Sequence, residues 1–269
     1  MTFLFWNLYR KPLDRELANL ASRHEVDVLM LAECLLPPAR ILKALNRQRA
    51  DYFFAPGLYE RIRIFTRFSS EFIRPTFEKE RLTIRRLTLP GLDEVLLVVM
   101  HGPSKASGWE EDSLAMQATE FADDIAHVEE NAGHQRTILV GDFNMNPFET
   151  GMVAATGLHG VMSRHIAQRG SRTVQGRSYP FFYNPMWSLM GDHTPGPPGT
   201  HYHQRSRHKE FFWHMYDQVL IRPDLLRFFD NDELKILHGD GTNSFVDHNG
   251  RPNKAEFSDH LPVLFKLNL

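Results

Sequence analysis

The sequence predicts a mixed α/β (α+β) fold in which two β-sheets pack face to face and helices cover their outer faces. Three observations predict it: apolar runs of strand length recur along the whole chain, longer helical segments separate groups of these runs, and strands and helices do not alternate strictly. Because each sheet must bury both faces, one on the other sheet and one under helices, a two-sheet sandwich satisfies this pattern.

The first part of the chain predicts two strands and two helices. Residues 2–8 are apolar and aromatic, as in a buried strand, and residues 12–24 carry leucines at helical spacing. Residues 27–31 predict a second strand. Pro37 and Pro38 then suit the first turn of another helix, because the missing proline N–H has no partner to lose there.

The rest of the chain predicts further strands, one long helix and one unusual segment. The long helix covers residues 109–131, and Pro147 is predicted to open another. Residues 165–212 are rich in Gly, Pro, His, Arg and aromatic residues with little periodicity, so we expect a long irregular insertion with a functional role. No linker or repeat divides the chain, which predicts a single domain over residues 1–269. The strands are predicted at residues 61–65, 71–77, 81–89, 95–100, 137–140, 215–221, 234–237 and 261–267.

Composition narrows the function classes. The formal net charge of −2 provides no bulk attraction to nucleic acid or anionic membranes, although a local basic patch is still compatible with it. Cys34 is the only cysteine, so no intrachain disulfide or cysteine-based zinc site can form. No apolar stretch approaches the ~20 residues of a membrane span, and the N-terminus lacks a signal-peptide pattern. We therefore expect a soluble, cytoplasmic protein without a membrane span; protein partners cannot be assigned from these features.

Polar residues lie at the ends of apolar strands, where a rigid scaffold can hold them in one cleft. Their chemistry suits phosphoester hydrolysis, since Mg²⁺ prefers carboxylate oxygens and waters. A water nucleophile needs a carboxylate or an oriented histidine, and the phosphoryl oxygens need hydrogen-bond donors. Glu33 and Asp259 are the candidate metal ligands. The candidates for activating water are Asp142, Asp217 and His260, and those for binding phosphoryl oxygens are Asn7, Asn144 and His101.

These residues stand in short motifs that resemble the endonuclease/exonuclease/phosphatase superfamily, the deoxyribonuclease-like metal-dependent phosphoesterases. The resemblance runs from residue 3 to about residue 265, with the motifs in the family's order and with roughly its spacing. It implies a four-layer α/β/β/α sandwich and hydrolysis dependent on Mg²⁺ or Mn²⁺. The matching motifs are Trp6-Asn7, Ala32-Glu33, Val99-Met100-His101, Gly141-Asp142-Phe143-Asn144, Tyr216-Asp217-Gln218-Val219 and Ser258-Asp259-His260.

The resemblance also implies individual roles. Glu33 would be the principal metal ligand, with Asn7 and Asp259 in the metal shell. Asp142 would orient the nucleophilic water or bind a second metal, and Asn144 would contact the phosphoryl group.

The two histidines and their partner receive roles in the same way. His260, paired with Asp217, would act as a base or as a phosphate-binding imidazolium. His101 would bind phosphate or donate a proton.

The chain departs from the family pattern at three places that bear on substrate binding. Arg61 replaces a frequent glycine, so Arg61 or Arg63 is a candidate to reach into the cleft. The segment from His101 to Lys105 keeps Lys105 as a candidate phosphate contact. Asn184 and Trp187 lie in a segment that looks like a bacterial subgroup and are further substrate-binding candidates.

Several alternatives stay open. We expect a nuclease that hydrolyses phosphodiester bonds of DNA or RNA; the alternative substrate is a small phosphorylated molecule such as an inositol phosphate, a nucleotide or a phospholipid headgroup. A catalytically silent binding module would lack a metal carboxylate or the final histidine, and the chain has both. In the long insertion, the histidines can lie on a solvated loop or contact substrate, with a zinc site as the less favoured alternative. The basic run can be solvated surface or contact phosphate, and the aromatic residues can stack on bases or form a core. The histidines are His193, His201, His203 and His208. The basic run consists of Arg205, Arg207, His208 and Lys209, and the aromatic residues are Trp187, Phe211, Phe212 and Trp213.

Overall fold

The computed structural model describes residues 1–47, 51–105, 108, 110–205, 208 and 210–269. Trp109, Arg207 and Lys209, which figure in the predictions above, lie outside the described residues. The helices are α1 (Asp14–Arg23), α2 (Pro38–Leu45), α3 (Glu111–Ala132), α4 (Thr150–Val153) and α5 (Arg164–Ala167), and short 3₁₀ helices cover Ser70–Phe72, Pro185–Leu189, Pro223–Phe228 and Asn231–Glu233.

The strands, numbered along the chain, are β1 (Thr2–Asn7), β2 (Val28–Ala32), β3 (Phe53–Ala55), β4 (Ile62–Thr66), β5 (Ile73–Lys79), β6 (Leu82–Leu87), β7 (Val95–His101), β8 (Thr137–Asp142), β9 (Gly160–Val161), β10 (Ser171–Val174), β11 (Arg177–Pro180), β12 (Phe182–Tyr183), β13 (His201–Tyr202), β14 (Trp213–His214), β15 (Asp217–Ile221), β16 (Lys235–Ile236) and β17 (Val263–Lys266). They form two large mixed sheets, with strand orders β16-β17-β1-β2-β4-β3 and β5-β6-β7-β8-β15-β12-β9. The pairs β10-β11 and β13-β14 are separate two-stranded sheets.

The two large sheets pack face to face and confirm the predicted four-layer sandwich. Phe3 and Phe5 on β1 share one buried cluster with Val99 on β7 and Val140 on β8, so this cluster lies between the sheets. Side chains alternate along a strand, and Leu4 therefore points to the opposite face of the first sheet.

Helices cover both outer faces. Leu4 belongs to a second cluster that contains Leu17 of α1 and Ile41 of α2. On the other side, Val98 of β7 and Phe121 of α3 belong to a third cluster. The layers are therefore α1 and α2, the first sheet, the second sheet, and α3.

The structure differs from the sequence-based expectation in the second half. Pro147 does not open a helix; α4 begins at Thr150, after a turn in which the Glu149 N–H donates to the Asn146 carbonyl. Residues 165–212 contain regular elements as well as irregular chain, because β12 joins the second sheet and β10 and β11 pair as a hairpin. The three-residue strand β3 was too short for the periodicity to indicate. No helix in the described part of the chain is both long and apolar enough to cross a membrane.

Gly141 allows β8 to approach β7 closely, next to the predicted site. A Cβ atom built on Gly141 would lie 2.0 Å from the Met100 carbonyl oxygen, a backbone atom that cannot rotate away. We expect Gly141→Ala to lower the free energy of unfolding by about 3 kcal/mol, the upper end of typical overpacking costs, measured by urea denaturation. Gly91→Ala is the control, because Gly91 has φ 79° and no atom within 4 Å of an added Cβ. An equal loss in both variants would contradict the steric explanation.

Candidate active site

The site lies at one edge of the sandwich, where strands of both sheets end. Asn7 is the last residue of β1, His101 of β7 and Asp142 of β8. Asp217 begins the antiparallel strand β15 directly opposite Asp142, and His101 pairs with Asp142 in the parallel ladder. Strand register therefore places polar side chains from both sheets at the same edge.

His260 and Asp217 form a buried pair. His260 Nδ1 lies 2.7 Å from Asp217 Oδ2, and both side chains are almost fully buried. Burial raises the pKa of Asp217 to about 6, against the opposing attraction of His260. For His260, burial lowers the pKa, but the charges of Asp217 and Asp142 outweigh this and raise it to about 10. At neutral pH the pair is thus an imidazolium next to a carboxylate.

Asp142 is the centre of the polar cluster. Its Oδ2 accepts a hydrogen bond of 2.9 Å from the Asn7 amide, and its Oδ1 accepts one from the Asn144 backbone N–H. The same Oδ2 lies 3.8 Å from His260 Nε2 and 3.9 Å from His101 Nε2. A carboxylate between two imidazoles can orient a small ligand such as water between them.

Glu33 and Asp259 form the acidic side of the cluster. Glu33 Oε1 lies 3.5 Å from His101 Nε2. Asp259 Oδ1 is buried and has no hydrogen-bond partner within the described residues. Burial raises the pKa of Asp259, and the negative charge of Glu33 adds to the rise. Both carboxylates line the cleft, and the unsatisfied oxygen of Asp259 is the kind of ligand that a divalent cation such as Mg²⁺ prefers.

Two of these residues have strained backbone conformations. Glu33 has φ 47° and Asn144 has φ 53°, both in the left-handed region that residues other than glycine rarely adopt. Asn144 is held there partly by its backbone bond to Asp142 and by a side-chain bond of 3.2 Å to the Gly102 carbonyl. Such strain is concentrated at functional sites, where the surrounding structure compensates for it.

The four predicted substrate-binding residues are placed very differently. Lys105 lines the cleft and forms an ion pair with Glu149. Arg63, Asn184 and Trp187 do not line it. The Arg63 guanidinium is buried on the Leu36 carbonyl.

Asn184 and Trp187 lie outside the cleft lining. The Asn184 amide donates to Gln218 Oε1 at 2.8 Å within the second sheet, and the Trp187 ring lies beside Phe148 with centroids 6.3 Å apart. Arg61, the other arginine of the β4 segment, pairs with Glu80 on the surface. The structure thus brings Lys105 to the catalytic candidates and leaves the other predicted substrate contacts outside the cleft.

The cleft has a volume of about 870 Å³, and one wall is a row of aromatic and imidazole rings. His201 packs on His260 with centroids 4.5 Å apart and stacks on Tyr216 at 5.4 Å. Tyr216 stacks on His214 at 4.6 Å, and His214 on His203 at 4.3 Å. Sequence reasoning did not place these rings in the site. Alternation places these rings on one face in His201-Tyr202-His203 and in His214-Met215-Tyr216, but three residues are too few to indicate a strand from the sequence.

The zinc hypothesis for the insertion can be examined at His203, Glu210 and His214, whose ligand atoms lie within 4.8 Å of one another. Asn146 Oδ1 accepts the Met215 N–H, which directs the Asn146 amide N–H₂ toward His214 Nδ1 at 3.1 Å. Burial lowers the pKa of His214 to about 3, so this ring is neutral and carries its proton on Nε2. Ligation of zinc through Nε2 would require the proton on Nδ1, where the Asn146 amide N–H₂ already points, and this disfavours zinc at His214.

Comparisons with known proteins agree with this architecture. The model of the Endonuclease/Exonuclease/phosphatase family matches residues 4–260. No curated protein matches the chain.

Among solved structures, the chain is similar to the human Nocturnin catalytic domain with bound sulfate (TM-score 0.57, 15% identity, covering 98% of this chain and 93% of that one). It is also similar to an AP endonuclease from Archaeoglobus fulgidus (0.56, 13%, 100% and 100%) and to D. rerio TDP2 complexed with a single-strand DNA product (0.55, 14%, 100% and 99%). At these identities the likeness of the solved structures establishes the fold alone. The family match over nearly the whole chain, on a four-layer sandwich, shows that this chain belongs to the endonuclease/exonuclease/phosphatase family.

Proposed function

We propose that the chain hydrolyses phosphodiester bonds of nucleic acid with the help of Mg²⁺ or Mn²⁺. The observation that carries this proposal is the meeting of Glu33, Asp142, Asp259 and His260, from distant parts of the chain, in one cleft. The family's general activity on phosphoester bonds supports the reaction class.

The residues present fit a divalent cation. Asp259 has a buried carboxylate oxygen without a hydrogen bond, and Glu33 is close enough to raise the Asp259 pKa. Asn7 is the third proposed ligand residue; its carbonyl oxygen Oδ1 already accepts the Tyr9 N–H, so this oxygen would be shared. When bound, the cation polarises a phosphoryl oxygen and stabilises the leaving oxyanion.

The remaining residues position water and substrate. Asp142 accepts the proton of the attacking water or orients it, because its Oδ2 faces both His260 and His101. His260, held by Asp217 through Nδ1, presents its Nε2–H to a phosphoryl oxygen as negative charge develops there. Asn144 and Lys105 are further proposed donors to the phosphate.

A second candidate substrate class is a small phosphorylated molecule, such as a nucleotide, an inositol phosphate or a phospholipid headgroup. The net charge of −2 favours it, since non-specific binding of duplex DNA normally needs a basic surface. Release of inorganic phosphate from such compounds, without cleavage of any oligonucleotide, would support this class against the first.

Metal removal tests the proposal directly. We expect purified protein to cleave single- or double-stranded DNA or RNA with Mg²⁺ or Mn²⁺, and cleavage to stop in the presence of a chelator. Glu33→Gln is expected to lower the rate by at least about 100-fold, since a metal ion contributes several kcal/mol to phosphoryl transfer, and to weaken Mn²⁺ binding in calorimetry. Glu256→Gln, at an exposed position, is the control. Unimpaired cleavage by the chelated enzyme would refute metal dependence, and intact oligonucleotides under every condition would refute the nuclease function.

A further inference from the structure

Three aromatic side chains lie in contact beside the cleft. Phe148 is 37% exposed and Phe211 is 54% exposed, yet their centroids are only 5.3 Å apart. Phe148 also neighbours Trp187, at 6.3 Å. The three residues come from separate segments: the loop after β8, a 3₁₀ helix and the residues before β14. We call them the aromatic platform.

The aromatic platform continues the ring row inside the cleft. Phe211 itself lines the cleft and meets His214 edge to face, with centroids 6.1 Å apart. His214 is linked through Tyr216 and His201 to His260, as described above. Ring surfaces therefore extend without interruption from the proposed catalytic imidazole to the exposed rim.

The rim of the cleft carries cations that can contact phosphate groups. The rim carries the cations Lys105, Arg205, Arg251 and Lys254. The two rim carboxylates are engaged in holding their own loops: Glu210 accepts the Arg205 and Phe212 N–H groups, and Asp247 accepts the Asn249 and Arg251 N–H groups. Lys105 is paired with Glu149, and hydrogen bonding leaves Glu210 and Asp247 charged, so the rim carries both signs of charge. The cations on the rim that can contact a phosphate backbone are Arg205, Arg251 and Lys254.

The combination of ring faces and cations points to one kind of occupant. A lipid surface or a second protein would use the apolar rings but has no need of a row of stacked rings that leads to a phosphoester site. Unpaired bases expose the faces that stack on aromatic side chains, whereas bases in a duplex already stack on one another.

We propose that the aromatic platform stacks unpaired bases of a single-stranded nucleic acid while the adjoining cleft receives its phosphodiester backbone. This inference rests on the proposed function and adds strand selectivity to it. The buried Nε2–H of the neutral His214 ring makes no hydrogen bond within the described residues, and Glu210 Oε1 lies 3.9 Å from it; it can donate to a base or phosphate oxygen between platform and cleft.

Binding, measured separately from cleavage, tests the proposal. The full chain carrying His260→Ala is titrated, with Mg²⁺ present, into a fluorescein-labelled single strand of about 10 nucleotides, within the ~4–16 nucleotides that a single-strand binding fold covers. The same sequence as RNA, as a blunt duplex and as an abasic strand with identical charge provides the comparison. We expect the single strand to bind about tenfold or more tightly than the abasic strand, and the duplex to bind more weakly than the single strand.

Variants of the aromatic platform sharpen this test. Phe211→Ala and Phe148→Ala are each expected to weaken single-strand binding by about tenfold, with no change for the abasic strand, and Phe211→Tyr should retain binding because it keeps the ring face. Phe53→Ala is the matched control, since Phe53 is 45% exposed on β3 and does not line the cleft. All three positions are partly exposed, and thermal unfolding verifies that the variants remain folded.

The outcomes separate this proposal from the proposed function. Equal binding of the single and abasic strands, or equal binding by Phe211→Ala and Phe53→Ala, would overturn the role of the aromatic platform even if the enzyme cleaves DNA or RNA. If the protein binds the single strand more tightly than the abasic strand and this preference depends on Phe211, while the wild-type protein cleaves no oligonucleotide, the aromatic platform would be upheld and the nuclease function refuted. Phe211→Ala could instead abolish self-association or vesicle binding and leave oligonucleotide binding unchanged. That result would assign the aromatic platform to a second copy of the chain or to a lipid surface and overturn the proposal.

Discussion

Replacing His260 with alanine is expected to lower kcat for phosphodiester hydrolysis by about 100-fold to 1,000-fold, the range for loss of one hydrogen-bond donor to a developing oxyanion. In the structure His260 is buried, bonded through Nδ1 to Asp217, and 3.8 Å from Asp142 Oδ2 at its other nitrogen. Alanine removes both the donor to the phosphoryl oxygen and the positive charge between the two carboxylates. Steady-state cleavage of a labelled oligonucleotide measures the effect, and His248→Gln, at an exposed histidine, is the control.

Asp217→Asn separates the role of the pair from that of the imidazole alone. The charge of Asp217 is the main force that raises the pKa of His260 against burial, so its removal should lower that pKa from about 10, observable by NMR of the imidazole ring. A group whose pKa is higher in the folded than in the unfolded state stabilises the fold at low pH, and this contribution is lost as the pH rises from the unfolded pKa to the folded pKa. For His260 these two pKa values are about 6.5 and about 10, so the free energy of unfolding of the wild type should fall between about pH 6.5 and pH 10. In Asp217→Asn this fall should be smaller. Full activity in His260→Ala, or an unchanged His260 pKa in Asp217→Asn, would contradict the assigned pair.

The sandwich could be predicted because its central strands are continuous apolar runs. β1, β2, β7 and β8 are buried on both faces, and each ends at or just before a polar residue, which marks the strand end and the site together. The distant residues Asn7 and Asp142 accordingly meet in a hydrogen bond of 2.9 Å. The contact between Asn7 and Asp142 follows from the order of the strands in the sheets. The family resemblance predicted this order, whereas the apolar pattern alone did not.

Side-chain direction was harder to predict than strand position. Arg63 lies on a correctly predicted strand, but its guanidinium satisfies the Leu36 carbonyl instead of facing the cleft. Asn184 is likewise used inside the second sheet by Gln218. Such choices depend on which buried backbone and amide groups need partners, and those partners are distant in sequence. The ring row was missed for a related reason: β13 and β14 are two residues each, below the length at which alternation is visible.

A buried ion pair that no motif indicated holds α3 to the second sheet. Arg222, which follows β15, donates from Nε and Nη2 to the two carboxylate oxygens of Glu129 on α3, at 2.8 and 3.1 Å. Thr137 donates a third hydrogen bond to Glu129. The guanidinium also bonds the Phe181 carbonyl and lies 3.7 Å from the centre of the Phe182 ring. Both charged side chains are less than 5% exposed, so neither can exchange its partner for water.

Glu129→Ala is therefore expected to lower the free energy of unfolding by about 3–5 kcal/mol, because it leaves the Arg222 charge buried without its counter-ion. The matched control is a more exposed pair between the same helix and β5, Asp124 of α3 with Lys79, and Asp124→Ala should cost less than about 1 kcal/mol. Urea denaturation of both variants measures the difference. The double variant with Arg222→Ala should lose less than the sum of the two single variants, since removing both partners leaves no isolated charge. Equal losses in Glu129→Ala and Asp124→Ala would show that burial adds nothing to this pair, and α3 would then be held to the sheet by its apolar face alone.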